Sequence, residues 1–176
     1  MNFQFYAEKL LNSKEFKEFK KENPDAYFCS GFFVIDKEGK DNKNHFDYFL
    51  PKENKIISFQ LEDGLGQVPV ESIDKRIPNK VLMDYDFSFE EIENLIEKEM
   101  EKQKIKSKIQ KIIVSLQNIK QKDFLICTVF ISMLGLLKVK VSLPAKKIEL
   151  FEKKSFFDIM KVKKSDNSAN KKGLLK

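Results

Sequence analysis

The hydrophobic spacing of this chain switches from helical to extended twice. In the second switch, Ile92, Ile96 and Met100 recur at helical spacing, whereas Val139 and Val141 alternate with lysines farther along the chain. A spacing of three or four residues is typical of one face of a helix, and strict alternation is typical of a half-buried strand. The repeated order predicts an α+β fold of two units, each a helical segment followed by three antiparallel strands.

The predicted strands divide the chain into four parts. They lie at residues 26–36, 45–50 and 55–62 in the first unit, and at residues 108–119, 123–133 and 136–143 in the second. The segment between the units contains glycines and prolines together with apolar residues, which is typical of a linker that packs on the body. We therefore expect antiparallel sheet or sheets with the helices packed on one face. The expected parts are a first helix-βββ unit (1–63), a packed linker (64–86), a second helix-βββ unit (87–160) and a basic, disordered tail (161–176).

Two helix starts carry the sequence of a capping box, in which a polar residue is followed three positions later by glutamate. Ser88 with Glu91 predicts the start of the helix in the second unit. Asn12 with Glu15 predicts the start of a second helix in the first unit, after the helical spacing of residues 3–11 ends.

The positive charge of the chain is concentrated in its last residues. The net charge is +6, but residues 161–176 contain six lysines and one aspartate, so residues 1–160 carry only +1. A nucleic-acid-binding fold is expected to carry its positive charge on the fold itself. The tail leaves open an alternative function, in which Lys163, Lys164, Lys171 and Lys172 grip phosphate and the protein accompanies nucleic acid or the ribosome.

Several sequence features predict a cytoplasmic protein. The first residues lack the basic and apolar regions of a signal peptide, and two cysteines do not make a disulfide framework. The longest apolar stretch, residues 124–137, is shorter than the roughly 20 residues of a membrane-spanning helix. We expect reduced thiols and no membrane span.

Two predicted strands are apolar on both faces, although a helix-covered antiparallel sheet normally has one polar face. The strand at residues 26–36 and the strand at residues 123–133 both show this pattern. The second apolar face is covered within the chain, or it forms a dimer or partner surface. The candidate interaction face consists of Phe28, Phe32, Val34 and Phe130.

No residue pattern indicates a catalytic, cofactor or metal site. His45 is the single histidine, and metal sites and acid–base pairs need further groups. Cys29 and His45 could form a nucleophile and base if their strands align, but a strand cysteine is more often a small buried hydrophobe. The Gly64-Leu65-Gly66 stretch lacks the remaining residues of a phosphate loop.

Residues 34–40, Val-Ile-Asp-Lys-Glu-Gly-Lys, form a strand, an aspartate, a turn and a glycine. This order resembles the end of a PepSY repeat, and the helix-plus-strands plan resembles PepSY domains and their cystatin-like relatives. At the corresponding place in the second unit, residues 139–148 keep the strand pattern but not the aspartate and glycine. The resemblance implies a non-enzymatic domain that binds or restrains a partner.

The predicted function is a non-enzymatic, cytoplasmic interaction module without a cofactor. It binds a protein or peptide, or a second copy of itself, through the apolar second faces or through a sheet edge.

Overall fold

We describe residues 2–39, 41–70 and 77–155 of the chain in a computed structural model. These residues form three helices and eight strands. The helices are α1 (Phe3–Asn12), α2 (Lys14–Glu22) and α3 (Phe89–Lys102). The strands are β1 (Tyr27–Asp36), β2 (Lys43–Leu50), β3 (Lys55–Gln60), β4 (Gly66–Val70), β5 (Ile109–Ile119), β6 (Lys122–Ile131), β7 (Gly135–Ser142) and β8 (Lys147–Ser155).

All eight strands belong to one antiparallel sheet in the order β4-β3-β2-β1-β5-β6-β7-β8. The first strands of the two halves, β1 and β5, pair at the centre, with Val34 opposite Ile113. The predicted α+β class is correct, but the predicted pair of helix-βββ repeats is wrong. Each half of the continuous sheet contributes four strands, and the central pairing of β1 with β5 joins the halves.

β4 and β8 are not among the six predicted strands, and they form the two edges of the sheet. In β4, every residue is exposed and Pro69 stands opposite Ile57, so the strand combines a short length with a residue that removes a backbone donor. In β8, a register shift opposite Lys140 and Val141 breaks the alternation of apolar residues. Both features are common at sheet edges, where they limit pairing with other chains.

The three helices pack on the same face of the sheet. The Phe3 ring of α1 is fully buried, and its centroid lies 5.9 Å from that of Phe33 and 5.6 Å from that of Phe46. The Phe19 ring of α2 lies 5.0 Å from Phe59, and the Phe89 ring at the start of α3 lies 4.9 Å from Phe33. The core therefore lies between the helices and this face.

Local hydrogen bonds define the helix starts. The predicted capping box at Ser88 and Glu91 is confirmed: each side chain accepts a hydrogen bond from the other residue's backbone N–H. The predicted cap of α2 is wrong by one residue, because Asn12 ends α1 and Ser13 caps α2 by accepting from the backbone N–H of Phe16.

Within the predicted linker, residues 77–86 connect the halves of the sheet across one end of β1. The Val81 N–H donates to the carbonyl of Phe28 at 2.9 Å, and the Val81 side chain is buried. The buried carboxylate of Asp123 accepts from the Leu82 N–H at 3.2 Å and from the Tyr85 hydroxyl at 2.8 Å. These contacts attach the segment to both β1 and β6. Residues 71–76 lie outside the described part, and the predicted domain boundaries stay predictions.

None of the three described helices is long and apolar enough to cross a membrane.

Candidate functional site

The side of the sheet that points away from the three helices is the principal candidate site, and we call it the open face. Strand register determines which side chains share it. One row across β2, β1, β5, β6 and β7 consists of His45, Phe32, Ser115, Ile126 and Lys140. The next row consists of Lys43, Val34, Ile113, Thr128 and Lys138. No described helix packs on these rows.

The centre of the open face is apolar. Phe32, Ile113, Ile126 and Phe130 are half-buried, although the only cover that the described residues give them comes from neighbouring side chains. Val34 lies between them and is only 5% exposed. A depression of about 680 Å³ opens beside Ile113 and Phe130. An apolar centre that is surrounded by polar residues is typical of an interaction surface.

The structure separates the four residues of the predicted interaction face. Phe32, Val34 and Phe130 lie on the open face, whereas Phe28 points into the core, with its ring 5.8 Å from Phe46. The cause is a β-bulge between Phe28 and Ser30, which shifts the alternation by one residue. Simple alternation therefore places Phe28 on the same face as Phe32, and the bulge reverses this.

Ile113 also lies on the open face, although it is not among the four residues of the predicted interaction face. It lies in the run Ile112-Ile113-Val114 of β5, where consecutive apolar residues occupy both faces of the strand. This continuous apolar run is the sequence signal for Ile113, because strands that are covered on both faces contain such runs.

The structure does not bring Cys29 and His45 together. The Cys29 thiol lies 3.3 Å from the backbone carbonyl of Asp47, whereas His45 pairs with Phe32, three residues farther along β1 and roughly 10 Å away. Burial, assisted by the negative charge of Asp47, raises the pKa of the Cys29 thiol to about 12. This shift disfavours the thiolate that nucleophilic catalysis needs.

His45 instead makes a pair with a carboxylate on the open face. Its Nε2 atom lies 3.0 Å from Glu62 Oε1, and both side chains are largely buried. Its ring centroid lies 5.6 Å from that of Phe32. The pair therefore borders the apolar centre and fixes the end of β3 against β2.

The Asp36–Gly39 turn, which carries the PepSY-like motif, has a local structural role. Asp36 Oδ1 accepts from the backbone N–H groups of Glu38 at 3.2 Å and Gly39 at 3.0 Å. The Gly39 hydrogen bond is the largest cause that lowers the Asp36 pKa below its usual value. A side chain at Gly39 would place its Cβ 2.5 Å from Asp36 Oδ2. Aspartate and glycine at these positions therefore close a turn.

A second candidate is a cavity of about 520 Å³ between α3, the end of β7 and residues 84–87. Its floor includes Ile92, Val141 and Leu143, which are all buried. Two of its polar groups have structural partners: the Glu91 carboxylate caps α3, and the Tyr85 hydroxyl donates to Asp123. The cavity is of a size that small ligands use, but these two groups serve the fold.

In the described part of the chain, no three metal-ligating side chains of His, Cys, Asp or Glu come close enough to hold an ion. The predicted phosphate-gripping lysines, Lys163, Lys164, Lys171 and Lys172, lie outside the described residues.

No protein-family profile matches the chain, and no curated protein matches it. One solved structure is similar: a crystal structure of a "putative lipoprotein" from Clostridium difficile 630. It superimposes with a TM-score of 0.52 at 13% sequence identity, over 80% of this chain and 90% of the other chain. At this identity the similarity concerns the fold alone.

Proposed function

We propose that this protein is a binding module that presents the open face of its sheet to a protein or peptide partner. The observation that carries the proposal is the difference between the two sides of the sheet. One side is covered by α1, α2 and α3, and the other exposes part of Phe32, Ile113, Ile126 and Phe130 without a described helix over them.

The chemistry of the open face indicates the kind of partner. Its centre is apolar, and its border carries charges of both signs, including Lys138, Lys140 and the Glu62 carboxylate. The Lys140 ammonium lies 3.6 Å above the centroid of the Phe124 ring, so its charge is held at the edge of the apolar centre. A partner with a flat apolar centre and polar edges complements this surface.

The sheet edges are weaker candidates for β-augmentation. Pro69 interrupts the donors of β4, and β8 carries Glu149, Lys153 and Lys154. Proline and charged residues at an edge reduce pairing with a further strand.

Photo-crosslinking tests the proposal with two matched positions. A benzophenone amino acid would replace Phe130 on the open face, or Phe5, which is 63% exposed on α1. In the cells that produce the protein, we expect a discrete crosslinked species from position 130 and none from position 5. An Ile126→Lys substitution should remove the species, because it places a charge in the apolar centre. Equal crosslinking from both positions, or none from position 130, would contradict the proposal.

A further inference from the structure

We infer that the partner of the open face is a second copy of this chain, packed face to face about a two-fold axis that runs along the β1–β5 seam. This inference rests on the proposed function and names its partner. It follows from how charge is divided between the two halves of the face.

The half formed by β1 to β4 is acidic. On this face its strands carry one lysine and two aspartates, a net charge of −1, and two loop carboxylates, one beside Lys43 and one beside His45, bring the net charge to −3. These groups are Lys43, Asp36, Asp41, Asp47 and Glu62. Asp36 and Asp41 also lie 3.4 Å and 3.5 Å from Lys111 across the seam.

The half formed by β5 to β8 is basic. Its charged groups are six lysines and two glutamates, a net charge of +4. These groups are Lys111, Lys122, Lys138, Lys140, Lys147, Lys154, Glu149 and Glu152.

A surface with opposite charges on its two halves is complementary to itself. A two-fold axis parallel to the strands at the seam places β5 opposite the partner's β1 and places each basic half opposite an acidic half. Because rotation about this axis preserves height along the strands, Ile113 meets Val34 of the second copy near the axis. Lys138 on β7 lies in the same row as Lys43 on β2, and Glu62, which follows β3, lies beyond Lys43 in that row. Because the axis places β7 opposite β3 of the second copy, Lys138 approaches Glu62 of the second copy.

The area of the face is sufficient for a weak dimer. Eight strands about 4.8 Å apart span seven gaps, or about 33.6 Å, and five residues at about 3.3 Å per residue span about 16.5 Å, so one face covers roughly 550 Å². Two such faces bury roughly 1,100 Å², which is just below the range of about 1,200–2,000 Å² for stable interfaces. We therefore expect a dimer with a dissociation constant in the micromolar range that weakens as salt is added.

Single-cysteine crosslinking tests the position of the axis in the full chain. Ser115→Cys lies on β5, directly beside the axis. Gln60→Cys lies on the same face but on β3, two strand positions farther from the axis. With a short bis-maleimide, we expect a crosslinked dimer from Ser115→Cys and not from Gln60→Cys. The native Cys29 and Cys127 do not compete, because both are buried and burial raises the pKa of each thiol to about 12.

Sedimentation equilibrium measures the charge contribution. Lys138→Glu should raise the dissociation constant about tenfold, since the two-fold axis makes each substitution count twice. The matched control, Lys98→Glu on α3, makes the same charge change behind the sheet and should change it less than about twofold.

A protein that stays monomeric at millimolar concentration, or that crosslinks equally from both cysteines, would overturn the inference. If position 130 then still gave a photo-crosslink to a different protein, the binding module would stand and only the choice of partner would be wrong. If position 130 gave no crosslink either, both proposals would fail.

Discussion

Replacing Phe3 with alanine tests whether α1 closes one face of the sheet. The Phe3 ring is fully buried and stacks on Phe87 at 5.0 Å, in addition to its contacts with Phe33 and Phe46. Truncating a buried phenylalanine to alanine costs about 3–5 kcal/mol, because the transfer energy is lost and a cavity remains. For a chain of this length, we expect the melting temperature to fall by roughly 10 °C.

Phe5 provides the matched control, because it lies on the same helix and is 63% exposed. Phe5→Ala should change the free energy of unfolding by less than about 1 kcal/mol. Urea unfolding followed by circular dichroism measures both variants, with an unchanged slope indicating that only stability has changed. If Phe3→Ala were as stable as Phe5→Ala, α1 would not pack as described, and the helix-covered side could not be distinguished from the open face.

Three further predictions concern other parts of the molecule. Gly31→Ala should cost about 1–3 kcal/mol in urea unfolding, because its Cβ would lie 2.8 Å from a buried aromatic ring, whereas Gly66→Ala should be nearly neutral. Cys29 and Cys127 should resist a thiol reagent at pH 8 and react fully in denaturant, since burial raises both pKa values to about 12; rapid labelling of the folded protein would contradict this. If the alternative phosphate-binding function operates, deleting residues 161–176 should abolish salt-dependent binding to RNA, and unchanged binding would exclude the tail as the cause.

The elements with regular periodicity were predictable from the sequence. The alternation of Val139 and Val141 with lysines predicts β7, and the pairing of Ser88 with Glu91 predicts the start of α3. Local patterns suffice in these cases, because the residues that determine the element also lie within it.

The remaining features depend on contacts between distant parts of the chain. The bulge beside Cys29 moves Phe28 to the core, and its alternation gives no sign of this. The pairing of Val34 with Ile113, which joins the halves into one sheet, connects residues that are 79 positions apart in the sequence. Sequence periodicity identifies strands but not their neighbours, so it could not distinguish one sheet of eight strands from two separate units.

The composition of the open face was predictable only in part, because periodicity identifies the strands but not their order in the sheet. The double-sided apolar strands indicated that Phe32, Val34 and Phe130 needed cover. The opposite charges of the two halves became visible only when strand order placed Asp36 and Asp47 on one side of the seam and Lys138 and Lys140 on the other.

Hydroxyl-radical footprinting tests most directly whether the open face is the binding surface. Oxidation of Phe32, Phe130 and Phe5 is measured by mass spectrometry in dilute isolated protein and in the bound form obtained at high concentration or from native extract. We expect the oxidation of Phe32 and Phe130 to fall several-fold on binding, while that of Phe5 on α1 does not change. Protection of Phe5 with undiminished oxidation of Phe32 and Phe130 would contradict it.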